Sequence, residues 1–148
     1  MQLTKNFTVE ELTHSDTALA KNIDNTPEHF SILLNLYHLF TFVVQPVRAW
    51  AKRPFNIMSC FRAKRLNRIL GGAASSDHVL GCAVDFTCWD MAEVFKYIAL
   101  NCEFDQLIWE KGDDDQPEWI HVSHRVGGNR NQILKFDGVQ YRYIKVDE

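Results

Sequence analysis

The stretch Cys82-Ala83-Val84-Asp85-Phe86-Thr87-Cys88 sets the tightest limit on how this chain can fold. Its composition reads as a β-strand. Cys82, Val84, Phe86 and Cys88 then share one face, and Ala83, Asp85 and Thr87 share the other. The first face belongs against a core. The second carries a carboxylate among small and apolar neighbours, and such a group is costly to desolvate unless something pairs with it. The fold must therefore bring a partner to Asp85 from another part of the chain.

Two histidines are placed to do so. His78 lies seven residues upstream, before Gly81, where a turn folds it back over the strand. His121 lies in "PEWIHVS", where Trp119, His121 and Ser123 share one strand face while Ile120 and Val122 share the other. Two imidazoles and a carboxylate form a zinc ligand set that leaves a fourth position for water. A general base is then needed, and Glu118 stands three residues before His121. Residues three apart on a regular strand point to opposite faces, so Glu118 requires irregular backbone just after Pro117. His124 is three residues beyond His121 and faces away by the same rule. Asp113, Asp114 and Asp115 do not fit the spacing of a calcium loop and read as a solvated acidic loop.

The bulk properties exclude several alternatives. The length of 148 residues fits one domain spanning 1–148. A net charge of −3 argues against a partner held mainly through nucleic-acid phosphates. The apolar run from Phe30 to Val44 is short for a membrane span and carries Asn35 and His38, so it reads as a core helix with no membrane partner. The opening "MQLTKNFTVEEL" has no basic start followed by an apolar run, so no secretory signal is expected and synthesis is assigned to the cytoplasm. None of the four cysteines forms a Cys-x-x-Cys pair, and they read as buried free thiols.

Local signals give an α+β order. Thr8 to Glu11 fits a capping box. Thr26-Pro27 reads as the start of a long helix through Val43, with Pro46 kinking or restarting it. "FNIMSC" reads as a strand, and "RAKRLNRIL" as a basic helix stopped by Gly71-Gly72. Asp90 is placed to cap the helix "MAEVFKYIAL". "DQLIWE" and "EWIHVS" read as strands, and the end of the chain as a hairpin around Asp137-Gly138. The expected architecture is N-terminal helices packed on a mainly antiparallel sheet.

The string Ser76-x-His78-x-x-Gly81-x-Ala83-x-Asp85, followed downstream by Glu118-Trp119-x-His121-Val122, resembles the signature of the zinc D-alanyl-D-alanine carboxypeptidase and L-alanyl-D-glutamate endopeptidase family, above all its small phage and prophage members. An upstream Ser-Gly-Tyr-Arg motif of that family appears here as Ser59-Cys60-Phe61-Arg62, with glycine and tyrosine replaced and arginine kept. The resemblance implies the hedgehog/D-Ala-D-Ala peptidase fold and a Zn2+ held by His78, Asp85 and His121. It implies Glu118 as general base, Arg62 as oxyanion stabiliser, and the peptidoglycan stem peptide as substrate. Ser76 is expected either to bind substrate or to cap a turn. Asp77, where glutamine is common, and Trp119 are expected at the substrate. Either D-Ala–D-Ala or L-Ala–D-Glu is the bond implied, and a monomer reaching the cell wall after phage-type release fits the type. The alternative is a zinc-stabilised wall-binding or virion module without turnover.

Overall fold

The computed structural model describes residues 1–148. A short antiparallel pair, β1 (Gln2–Thr4) and β2 (Phe7–Thr8), leads into α1 (Val9–Thr13) and α2 (Asp16–Ala20). A long helical run follows as α3 (Phe30–Leu39), a π-helical turn (Phe40–Val44) and α4 (Gln45–Ala51). The rest comprises β3 (Asn56–Ser59), α5 (Lys64–Ile69), β4 (Ala83–Thr87), α6 (Met91–Asn101), β5 (Gln106–Glu110), β6 (Trp119–Ser123), β7 (Gln132–Phe136) and β8 (Tyr141–Tyr143). The large sheet has the order β3-β4-β6-β5-β7-β8 and is antiparallel except for the parallel β5–β7 pair. This is the expected α+β class, with helices against a mostly antiparallel sheet.

One face of the sheet makes the core. Val84 and Phe86 of β4, Leu107 and Trp109 of β5, and Ile120 and Val122 of β6 pack with Leu36, Leu39, Phe40 and Val43 of the long helix and with Val94, Phe95 and Ile98 of α6. Phe55 stacks on Phe86 with ring centroids 4.6 Å apart. The alternation read in "CAVDFTC" thus sends its apolar side chains inward and leaves Asp85 on the other face.

Two local expectations are corrected and one holds. The long helix starts at Phe30, not at Thr26-Pro27, because the Asp24 carboxylate accepts from the Thr26 backbone N–H at 2.9 Å and holds a turn there. At Pro46 the restart expected from the sequence is seen: a π-helical turn ends at Val44, and α4 resumes at Gln45 with Pro46 in its first turn and runs to Ala51. Pro46 lacks an N–H, and the π turn before it shifts the pairing so that Gln45 N–H donates to Phe40 C=O. Asp90 does not cap α6 with its side chain; its backbone is left-handed (φ 56°), and Gln116 Oε1 from the β5–β6 loop accepts from Ala92 N–H at 3.0 Å instead. The continuous helix Phe30–Ala51, at 22 residues, is long and apolar enough to cross a bilayer by length and composition. Here one stripe of it faces the sheet, while Phe30, Leu34, Tyr37 and Phe42 are exposed.

The hairpin signal holds. Asp137 Oδ1 accepts from the backbone N–H groups of Val139 and Gln140, and Gly138 takes φ 102°. Gly81 turns the chain from His78 into β4 at φ 73°. A Cβ there would stand 2.8 Å from Ile32 O, so the close approach of this turn to α3 requires glycine.

Candidate metal centre and cleft

Antiparallel register decides which side chains meet. Asp85 lies directly opposite His121 in the β4–β6 pair, so both project from the same face. His121 Nδ1 reaches Asp85 Oδ1 at 2.8 Å. His78 arrives from the turn before β4. The Arg62 N–H donates to His78 C=O and the Cys82 N–H to Asp77 C=O, which ties this turn to the segment after β3 and to the start of β4. His78 Nδ1 donates to Cys60 C=O at 2.7 Å and leaves Nε2 free, 3.3 Å from Asp85 Oδ2. The departure at Cys60 is harmless to this arrangement, because the group used is its carbonyl. Its thiol is fully buried and pushed far up by burial.

The three ligand atoms lie within 4.8 Å of one another. The donor chemistry fits a divalent ion: two imidazole nitrogens, one carboxylate, and an outer hydrogen bond that fixes one tautomer. All three side chains are largely sheltered from solvent. Burial alone would push the Asp85 carboxyl up. The charge of His78 and the hydrogen bond from His121 outweigh it and hold Asp85 well below the usual carboxylate range. That answers the desolvation problem posed by the strand.

Arg62 stands over the same carboxylate, Nη2 to Asp85 Oδ2 at 3.6 Å. Its Nε donates to Ser59 Oγ at 2.9 Å and its Nη1 to Asn67 Oδ1 at 3.3 Å, so the side chain is held rather than free. These groups open into a cleft of about 630 Å³, within the range of small-molecule sites. Ser76, Asp77 and Trp119 also line it. Ser76 Oγ accepts from His78 N–H at 3.3 Å, a turn-stabilising bond. Asp77 accepts from Arg125 Nη2 at 2.8 Å. Trp119 presents its ring beneath Lys111 Nζ, and its buried Nε1 has no partner.

Glu118 is the residue that the fold does not bring to the cleft. Its N–H donates to Glu110 C=O at 2.9 Å, so strand pairing already holds there and the backbone is not re-aimed. Alternation then turns Glu118 away from His121, and its side chain is exposed. Glu110 takes the place instead. It lies opposite Trp119 in the β5–β6 register, on the face of His121 and Asp85, and it lines the cleft while only 8% exposed. Burial, partly offset by His121, pushes its carboxyl up to about 7.

A raised acid favours the folded state only while protonated. Glu110 therefore contributes stability that is full below about 4.5 and lost as pH rises through about 7. In the metal-free chain, Glu110→Gln is expected to raise the melting temperature at pH 8 and to leave it unchanged near pH 4. The gap between those two values corresponds to on the order of 3 kcal/mol. Equal melting shifts at both pH values would contradict the burial argument.

With the site in view, comparison with family models gives one match. A model described as Peptidase M15 covers residues 5–123. The chain belongs to the peptidase M15 family. A comparison with curated proteins finds no match. Membership in M15 makes this a hydrolase of the metallopeptidase type from a zinc-dependent, peptidoglycan-acting family. The matched span contains the His-Asp-His group, Arg62 and Glu110, and it ends with β6. The loop after β6 and the β7–β8 hairpin of this M15 chain lie beyond it.

Proposed function

We propose that the chain is a zinc metallopeptidase that hydrolyses an amide bond in peptidoglycan stem peptides, with His78, Asp85 and His121 as the metal ligands. One observation carries this reading: Asp85, His121 and a buried glutamate share one sheet face, the turn before β4 brings His78 to it, and all four open into one cleft. Zinc held there would supply Lewis acidity, polarising the scissile carbonyl and making water easier to deprotonate.

The protein side chains do the rest. Glu110, buried on the cleft wall on the face of His121 and Asp85, accepts the proton of the attacking water and delivers it to the leaving amine. Arg62, fixed by Ser59 and Asn67, points a guanidinium donor at the developing oxyanion. A donor of this kind is worth on the order of a hundredfold to a thousandfold in rate. Without metal, His121 Nδ1 meets Asp85 Oδ1 directly, a contact that zinc held between them would replace, and the Cys60 carbonyl sets the tautomer of His78 that leaves Nε2 free. Ser76 and Trp119 border the bound peptide.

The test is hydrolysis of defined muropeptides before and after metal stripping. Activity is expected to vanish with chelator and to return with zinc, and product masses assign D-Ala–D-Ala or L-Ala–D-Glu cleavage. Turnover that survives complete stripping refutes the proposal. The alternative, a zinc-stabilised wall-binding module without turnover, loses its support from the exposed Glu118 once Glu110 lines the cleft. Tight metal binding with no cleavage of any wall peptide is its signature.

A further inference from the structure

Just past β6 the chain builds a second charged group on the wall of the same cleft. Asp105, 1% exposed, sits at its base. Arg130 grips it with two bonds, Nε to Oδ1 at 3.0 Å and Nη2 to Oδ2 at 2.7 Å. Arg125 spans it and Asp77, Nε to Asp105 Oδ2 at 3.5 Å and Nη2 to Asp77 Oδ1 at 2.8 Å. The loop that carries the arginines is itself fastened. Asn129 exchanges hydrogen bonds with the backbone of Arg125, and Asn131 does the same with the backbone of Phe104.

A guanidinium has five N–H donors in a fixed fork. In both arginines Nη1 makes no hydrogen bond, both side chains are about half exposed, and both line the cleft that holds the His-Asp-His group. The buried Asp105 and the sheltered Asp77 thus act as anchors that leave one edge of each fork for something else. The lining sets Arg62, Arg125 and Arg130 against Asp77, Asp85 and Glu110, so it is the unpartnered donors of the Arg125 and Arg130 forks, and not the overall charge of the cleft, that favour an anionic group there. A planar carboxylate is the group that such forks match best.

We propose that Arg125 and Arg130 form a subsite for the free α-carboxylate on the amine side of the scissile bond. The inference rests on the peptidase reading above and adds to it what the cleft recognises. Both bonds considered there share this feature. In D-Ala–D-Ala the leaving residue is C-terminal. In L-Ala–D-Glu the leaving glutamate continues through its γ-carboxyl, so its α-carboxylate is free. In each case one carbon separates the scissile nitrogen from a carboxylate. Grasping that group fixes the leaving amine relative to Glu110 and explains why one cleft could accept either bond. Arg125 and Arg130 are positioning and specificity residues in this account, and they make no contact with the reacting atoms.

The experiment uses two pairs of synthetic stem peptides. One pair ends in D-Ala–D-Ala acid or its amide, and the other contains D-glutamate or D-isoglutamine after L-Ala. For whichever pair is cleaved, the wild type is expected to prefer the acid by tenfold or more in kcat/KM, mostly through KM. Arg130→Gln and Arg125→Gln should each bring that preference close to one and slow the amide less than threefold. Arg130→Lys should keep part of it. Arg125→Gln leaves the two-bond Arg130 grip on Asp105 intact, so it remains informative if Arg130→Gln fails to fold. Equal cleavage of acid and amide by the wild type, or an equal loss on both in the variants, overturns the subsite. If neither pair is cleaved, the functional reading falls. Equilibrium binding of the same pairs to the zinc-loaded wild type then decides the subsite: tenfold tighter binding of the acid upholds it, and equal binding overturns it.

Discussion

Glu110→Gln is expected to lower kcat by about a hundredfold to ten-thousandfold, the usual worth of a positioned general base, while zinc content stays at the wild-type level. The substitution keeps side-chain shape and removes only the proton-accepting oxygen. Glu110 lies on the sheet face of His121 and Asp85, and no metal ligand is lost with it. Glu118→Gln, by contrast, is expected to change kcat less than threefold, because Glu118 is exposed and its strand position turns it from the cleft. A pH profile separates the two further. The acidic limb of kcat/KM reports the base in the free, metal-loaded enzyme, and it should disappear in Glu110→Gln only. A dead Glu118→Gln beside an active Glu110→Gln would return the base to the Glu-x-x-His motif and require the loop between β5 and β6 to rearrange on binding.

The second large effect is at Asp85. Asp85→Ala should reduce zinc affinity by at least about a hundredfold, since a direct ligand matters more than the outer partners whose loss costs about tenfold to a hundredfold. It should also destabilise the metal-free chain by about 3–5 kcal/mol, the cost of breaking a buried charge pair. Arg62, His78 and His121 all converge on this carboxylate and would be left without it. Asp85→Asn retains the volume, so its smaller destabilisation with an equal loss of zinc would separate the packing role from the ligand role. Denaturant unfolding with and without zinc measures both. A metal-free Asp85→Ala chain as stable as the wild type would show that the buried pair contributes nothing.

The site was legible in the sequence to the extent that strand alternation controls it. Asp85 and His121 each stood on the less apolar face of a clear period-two pattern, and pairing β4 with β6 then had to bring them together. His78 was readable from its distance to Gly81, whose left-handed turn returns the chain to the strand. Glu110 was missed although "DQLIWE" carries its signal. Gln106, Ile108 and Glu110 share the face opposite Leu107 and Trp109, but only the register with β6 reveals that this face is the cleft. Glu118 drew attention because of its motif, against the period that places it outward. The helix boundaries at Phe30 and Asp90 were set by Asp24 and Gln116, side chains whose roles depend on tertiary placement rather than local propensity. The Arg125–Asp105–Arg130 group joins the residue before a strand to a loop 20 to 25 residues later, a contact that no periodicity encodes.

The most direct measurement is diffraction from crystals grown with zinc, collected across the zinc absorption edge. The account predicts one anomalous peak per chain, about 2 Å from His78 Nε2, His121 Nδ1 and a carboxylate oxygen of Asp85. A zinc peak at other side chains, or none where these three converge, would contradict it.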